Sequence, residues 1–519
     1  MSLLSPSSLV LLSIVAFIVW RRWKANATKP GRLPLPPGPK PLPLVGNIRD
    51  IPLGVPQWEL FESMAQKYGD IIHLNVLGQN IIVLSSLEAI NDLLEKRSAI
   101  YSSRPRSTMM HELMDMGWSL AIIEYGEQWR RIRKAFHRHF NANETHRYYD
   151  TQNECTQSFL RRVLRSPDKL FTHTRHLFAK SIMKVTYGID VSESENDPFI
   201  YHAEQTIAAF NAAARPGRYL VDLLPILKYV PAWFPGAQFQ KDAQYAKAMS
   251  NRMVNDPFQL IKERERTGKT VPCVVSALLD EAPPAGPQRA EEEDIIRKAA
   301  GIAYAGGSDT TVSALQSFFM AMILYPSVQK RAQAELDAVV GPHRLPDFAD
   351  QKYLPYIVAV TKELLRWKMV TPLAVPHLTT EDDEYRGYFI PKGSIVLGNS
   401  YMILHDPVVY PEPHEFRPER FLTDDGQLNP DVLDPTIACF GFGRRICPGR
   451  AFAQDSFFSV VSNVLHTFNI SHALNEDGET IPVLPEVSDG LISYPKPFSC
   501  LIKPRSTSAE ALIRNTEDP

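Results

Sequence analysis

"FGFGRRICPGR", residues 440–450, sets Cys447 in a basic, glycine-rich stretch beside an aromatic residue. It is one of only five cysteines in 519 residues. A structural cysteine normally sits among aliphatic side chains, and a disulfide cysteine needs a partner. Gly441, Gly443 and Gly449 allow a tight turn close to a flat ligand. Backbone N–H groups in such a turn can face a thiolate and tune it. Pro448 then starts a helix through "GRAFAQDSFFSVVSNVL". A bare Cys-Pro-Gly would suggest a buried thiol; the full pattern F-x-x-G-x-R-x-C-x-G, filled at every position, points instead to a ligand for haem iron.

Cys155, Cys273, Cys439 and Cys500 are widely spaced, and no CxxC pair occurs. A zinc cluster and a disulfide framework are therefore disfavoured, and these four read as free buried thiols of a reducing compartment. Net charge is −2, so no global basic field argues for nucleic acid. A composition of 44% hydrophobic and 22% charged residues is that of a folded chain, and 42 prolines spread along it predict many short connections.

Residues 1–24 read as a transmembrane signal anchor. The run "LLSPSSLVLLSIVAFIVW" is uncharged and long enough to span a bilayer, and Arg21, Arg22 and Lys24 follow it. The charge lies after the apolar run, which favours an uncleaved anchor over a secretory signal and leaves the remainder in the cytosol. Residues 25–47 read as a stiff proline-rich linker. Residues 48–519 form the main domain: mainly α with a smaller β region, and no regular strand–helix alternation that would give a doubly wound sheet. Two strands are expected around a Gly-Gln-Asn turn within residues 71–84. A capping box from Ser85 to Glu88 should start a helix through Leu94. The apolar stretch "LLPILKYVPAWFPG", residues 223–236, is read as core, with a membrane-touching or substrate-admitting loop as its rival.

One long helix is expected over residues 291–324, about 50 Å at 1.5 Å per residue. Its middle, "AYAGGSDTTVSA", combines poor helix formers, and each interior glycine costs about 0.5–1 kcal/mol. That cost suggests a groove beside a ligand. There Thr310 would bond a water or oxygen species, and Asp309 would relay protons; a mere kink is the bland alternative. Glu363 and Arg366 share a helix face, as a surface pair would. Trp129 and Arg133 lie in the basic run "EQWRRIRKAFHRHF", which is either a solvated face or a clamp for ligand carboxylates.

In order and spacing, "WRRIR", "GGSDTT", "ELLR", "FRPERF" and "FGFGRRICPG" resemble the cytochrome P-450 superfamily, the haem-thiolate monooxygenases. The resemblance covers the chain from the anchor onward. It implies the cytochrome P-450 fold, preceded by one N-terminal transmembrane helix, and haem b with an axial thiolate on its iron. Cys447 would be the iron ligand, with Phe440 at the head of its loop. Trp129, Arg133, His377 and Arg445 would hold the haem propionates. Asp309 and Thr310 would be the catalytic acid–alcohol pair, and Glu363, Arg366 and Arg420 a structural triad.

The resemblance further implies oxygen activation, with a thiolate favouring O–O cleavage and protons delivered on the distal side. The chain has no flavin or nicotinamide fingerprint, so electrons would come from the membrane-bound NADPH–cytochrome P-450 reductase, docked on the basic face near Arg130, Arg131 and Lys134. The substrate would be an apolar small molecule, oxidised with O2. Its cavity would be lined by residues 107–123, 303–310, 370–374 and 488–492, with Met109, Met110, Met114, Met116, Leu373, Leu491 and Ile492 among them. "SDTTVSAL", "PAWFPGAQF" and "EYRGYFIPKG" look most like enzymes of mushroom-forming fungi that act in secondary metabolism on terpenoid-like compounds. The implied location is the endoplasmic reticulum membrane, single-pass, with the catalytic domain cytosolic. The alternatives are a xenobiotic-detoxifying monooxygenase, an oxygen-independent isomerase, and a non-catalytic haem sensor.

Overall fold

In the computed structural model, residue 20 and residues 33–52, 54–194 and 197–516 are described. The expected membrane helix and the first part of the linker therefore lie outside the described residues. Among the described residues, no single helix is long and apolar enough to cross a membrane. The chain divides into two compact units. The first takes residues 1–105, 371–403 and 441–446; the second takes 106–370, 404–440 and 447–519.

The first unit is built on a mixed sheet. Strands β1 (Ile71–Val76) and β2 (Gln79–Leu84) form a hairpin. The chain returns much later with β3 (His377–Leu378), a two-strand ribbon of β4 (Asp383–Tyr385) and β5 (Tyr388–Ile390), and β6 (Ile395–Gly398). The sheet order is β1-β2-β6-β3, with β2 and β6 parallel and the other pairs antiparallel. Helix α1 (Gln57–Tyr68) lays Phe61, Met64 and Ala65 against Ile72, Leu74 and Val83 of the hairpin.

The expected hairpin is present, but its turn is Leu77–Gly78, both at positive φ, one residue earlier than read. Two positive-φ residues give the turn whose twist matches paired strands, and Asn80 is left free to pair inside β2. The helix after β2 is capped by Ser86, whose Oγ accepts from the Ala89 N–H at 3.2 Å, while Ser85 is buried. It runs from Leu87 to Ile90 and widens into a π turn over Asn91–Lys96. The described part of the proline-rich segment is docked along the sheet: the His73 and Phe389 N–H groups donate to the Pro37 and Pro34 carbonyls at 2.9 and 2.8 Å. Missing proline N–H donors do not stop these carbonyls from accepting.

The second unit is helical. Its longer helices are α2 (Glu127–Phe140), α3 (Tyr149–Arg165), α4 (Leu170–Tyr187), α5 (Pro198–Ala214), α6 (Gln238–Arg266), α7 (Pro287–Gly307), α8 (Thr310–Leu324), α9 (Pro326–Val339), α10 (Pro355–Trp367), α11 (Arg450–Thr467) and α12 (Thr507–Arg514). A small ribbon, β7 (Phe468–His472) with β8 (Cys500–Pro504), completes it. Helix α8 is buried from Thr311 to Ile323 and packs with Phe457, Phe458 and Leu465 of α11 and Leu364 of α10. A helix buried on every side must be apolar on every side, and "VSALQSFFMAMI" nearly is. The long helix expected over residues 291–324 is two, α7 and α8, interrupted at Ser308–Asp309.

The reading of residues 223–236 as core is corrected. The segment between α5 and α6 forms short 3-10 turns, and Ile226, Tyr229 and Trp233 are 70%, 73% and 80% exposed. Pro225, Pro231 and Pro235 break the helical periodicity that would have offered one face to a core. The segment is tied down by polar groups instead. Asp222 accepts from the Ser107 hydroxyl and the Met109 N–H, both at 2.9 Å, and Lys228 pairs with Glu112 at 2.7 Å.

Candidate active site

The cysteine loop is closed by the Cys447 N–H, which donates to the Phe440 carbonyl at 2.8 Å. Gly443 is at φ +57°, and a Cβ there would stand 2.0 Å from the Leu94 carbonyl oxygen, so only glycine fits. Phe442 lies over Gly398, where a Cβ would come within 2.6 Å of its ring. Beyond the loop, α11 starts at Arg450. Burial pushes the Cys447 thiol up, while the Gly449 N–H and the Arg133 and Arg450 charges favour the thiolate. All five cysteines are free; Cys155 is buried and the others are half-buried.

Helix α2 sets Trp129, Ile132, Phe136 and Phe140 on its buried face, at spacings of three and four. The Arg133 guanidinium lies 5.8 Å from the Trp129 ring centroid, and burial lowers its pKa to about 10. The basic run does not present one solvated face. Arg131 pairs with Glu291 and Glu292 of α7, Arg138 pairs with Glu281 at 2.6 Å, and Arg130 and Lys134 remain exposed.

In the first unit, three basic groups are buried together. The Arg445 Nε donates to the Ser102 carbonyl at 2.6 Å. Arg104 donates to the Val375 and Pro376 carbonyls at 2.7 and 2.8 Å. His377 donates from Nδ1 to the Tyr101 carbonyl at 2.7 Å. Burial pushes Arg104 well down, and the neighbouring Arg445 charge adds to this. Burial, then Arg104, pushes His377 well below its ordinary value. Sequence reading missed Arg104. The only signal was an Arg-Pro in an otherwise ordinary "SSRPRS", and its role needs the fold that brings residues 101–104 to 375–377.

At the helix break, the Thr310 hydroxyl donates to the Gly306 carbonyl at 2.7 Å, and the Thr311 hydroxyl to Gly307 at the same distance. Gly306 is exposed, and a Cβ built on it meets nothing within 4 Å. The groove inferred from "AGGSDTT" is thus open at Gly306, while Gly307 is closed off by Ile182. The Asp309 carboxyl is desolvated, which raises its pKa, and it accepts a hydrogen bond from the Tyr494 hydroxyl. Met109, Met114 and Met116, expected near substrate, pack with Val221, Ala243 and Ala246; Met110 lies half-buried at the margin.

Glu363 and Arg366 are not a surface pair: both are wholly buried. Glu363 also accepts from Arg420 Nε at 3.2 Å, so the three form the triad that the resemblance implied.

The Cytochrome P450 family profile matches residues 36–502. The chain belongs to the cytochrome P450 family. It is similar to "Cytochrome P450 monooxygenase COX1" of Coprinopsis cinerea, 40% identical over 96% of this chain and 97% of that one. It is also similar to "Cytochrome P450 monooxygenase ple1" of Rhodocybe pseudopiperita, 41% identical over 98% and 96%. "Tryptamine 4-monooxygenase" of Psilocybe cyanescens is 40% identical over 93% and 95%. The relatives are thus fungal monooxygenases, and the chain is an oxidoreductase that uses O2.

A P450 binds haem with iron and a cysteine thiolate, and the residues present fit that group. Buried guanidiniums are costly without an anion, and haem brings two carboxylates. In the first unit, Arg104, Arg445 and His377 are buried together and would hold them. An iron cation would reverse the effect of burial on Cys447 and keep it as thiolate. The bound haem supplies oxygen binding and reductive O–O cleavage. The chain's own part would be to fix the thiolate, neutralise the carboxylates, leave room at Gly306, and hold protons at Thr310 Oγ1 and the Asp309 carboxyl.

Proposed function

We propose that this P450 is a membrane-attached monooxygenase of fungal secondary metabolism that inserts oxygen into an apolar, terpenoid-like small molecule. The observation that carries the reaction type is the helix break. It leaves open space at Gly306 beside a hydroxyl and a desolvated carboxyl, as oxygen activation with proton delivery requires. An isomerase or a haem sensor has no use for that pair. Electrons come from NADPH–cytochrome P-450 reductase, for which exposed Arg130, Lys134 and Arg450 offer a basic docking face to an acidic partner.

Attachment to the endoplasmic reticulum rests on two features. One is the apolar run before residue 21, followed by basic residues. The other is the exposed apolar group Leu220, Ile226, Tyr229, Trp233 and Phe234, which suits the lipid interface. Similarity to "Tryptamine 4-monooxygenase", an enzyme named for one defined small molecule, supports the biosynthetic setting over detoxification.

The test compares the metabolites of the producing strain with those of a strain carrying Cys447→Ala, by untargeted mass spectrometry. The expected result is loss of a product and accumulation of a compound lighter by one oxygen or richer by two hydrogens. Matching profiles under several growth conditions would overturn the biosynthetic reading in favour of detoxification.

A further inference from the structure

Asp309 is held by a group outside the motif that contains it. Tyr494 lies in the loop "SDGLISY", residues 488–494, and donates its hydroxyl proton to Asp309 Oδ2. The same hydroxyl takes a hydrogen bond from the Asn211 side chain of α5. The Asn211 Oδ1 is itself buried without a partner, as is the Ser308 hydroxyl next to Asp309. Unpartnered buried polar atoms on the partner of Tyr494 and on the chain neighbour of Asp309 mark places for water.

The loop is rigid where it meets α8. The Ser493 N–H donates to Val370, its hydroxyl to Ser488 at 2.9 Å, and the Ser313 hydroxyl of α8 donates to the Ser493 carbonyl. The Tyr494 N–H reaches Ser488 Oγ at 3.0 Å, and the Ser488 N–H reaches the Tyr494 carbonyl at 2.7 Å. Tyr494 therefore has little freedom, and neither has the carboxyl that it holds.

We propose that Tyr494 is a positioning residue for proton delivery: it fixes the Asp309 carboxyl at the helix break and joins it to Asn211 and the water places beside them. This rests on the reading of Asp309 as a proton relay. The charged and titratable groups facing Asp309 are Tyr494 itself, Arg175 of α4 and Glu204 of α5. Arg175 and Glu204 pair at 3.5 Å with about two-fifths of each side chain exposed. Tyr494 and Arg175 favour the carboxylate, while burial and Glu204 oppose it.

The experiment uses the full chain with Tyr494→Phe, Asp309→Asn and the double variant. Each is checked for haem by its carbon monoxide difference spectrum and assayed with reductase and the substrate found by metabolite comparison. Tyr494→Phe should lower product per NADPH roughly tenfold, the usual worth of a hydrogen bond to a charged group, with peroxide making up the difference. It should also enlarge the solvent isotope effect and add nothing further in the Asp309→Asn background. A second readout needs no turnover. The protonated-carboxyl infrared band that Asp309→Asn removes should persist to higher pH in Tyr494→Phe, because a bond favouring the carboxylate is gone. Normal coupling in Asp309→Asn would overturn the relay reading and this inference together. Uncoupling in Asp309→Asn with unchanged coupling and infrared titration in Tyr494→Phe would overturn the inference alone, as would an equal further loss in the double variant.

Discussion

Glu363 and Arg366 lie three residues apart on α10, and neither side chain exposes any surface. Both Glu363 oxygens accept from Arg366, at 2.7 and 2.8 Å. The remaining guanidinium N–H groups go to the carbonyls of Leu404 and Pro413, at 2.9 and 2.8 Å, and of Glu415 at 3.1 Å. Every donor of Arg366 is used, and Glu363 additionally holds the Arg417 N–H at 2.8 Å and Arg420. The pair thus clamps residues 404–420, which have little secondary structure of their own, onto α10.

Breaking a buried pair while leaving one charge unpaired costs about 3–5 kcal/mol. Glu363→Gln should therefore lower the thermal midpoint sharply and cut haem content in the purified protein, read from the Soret absorbance per protein. Arg366→Lys should do nearly as much harm, because an ammonium cannot reach three carbonyls and a carboxylate in one plane. A variant with wild-type melting and full haem would show that the clamp is dispensable.

Thr310→Ala removes the hydroxyl that donates to the Gly306 carbonyl and leaves α8 otherwise intact. The expected outcome is normal haem content, NADPH consumption within about threefold of wild type, and a large rise in peroxide released per NADPH, since proton donors of this kind contribute about 10²–10⁴-fold. Peroxide release equal to wild type would place proton delivery elsewhere.

His176 of α4 donates to the Ser192 carbonyl at 2.9 Å, and burial lowers its pKa; Arg162, Glu193 and Lys180 are the charged groups around it. A histidine whose folded pKa lies below its unfolded value of about 6.5 contributes stability above that pH, and the contribution is lost as pH falls through 6.5 toward the folded pKa. The thermal midpoint should fall as pH drops from 7.5 to 5.5, and His176→Gln should make the fall shallower, by at most about 1.4 kcal/mol per pH unit for one proton. An unchanged slope would show that His176 titrates alike in both states.

What the sequence made legible was local. The Cys447 loop and the Glu363–Arg366 spacing each lie within one short segment, where residue type and periodicity carry the information. What it hid was the partner of each group. Nothing in "WRRIRK" says that Glu291 and Glu292 engage Arg131, because those residues are 160 and 161 positions away. Arg104 and Tyr494 are single residues in unremarkable loops, and each acquires its role only through carbonyls or a carboxyl brought from distant chain. The exposed stretch at residues 223–236 was misread because burial was taken as the default for apolar content, although three prolines keep the stretch from forming a helix face.

That stretch gives the last prediction. Trp233 is 80% exposed and Phe234 52%, beside Ile226 and Tyr229, while Asp222 and Lys228 anchor the segment to residues 107–112. An apolar group of this size held out by polar anchors suits insertion at the lipid interface, where tryptophan prefers to lie. In vesicles containing brominated lipids, tryptophan emission of the full chain should be partly quenched, and Trp233→Phe should lower the quenched share, leaving that of Trp20 and Trp23 in the expected anchor. Trp233→Phe keeps an apolar ring, so the segment still inserts and only its reporter is lost. If quenching is the same in wild type and variant, Trp233 does not enter the bilayer, and the exposed apolar group must be assigned to a protein partner.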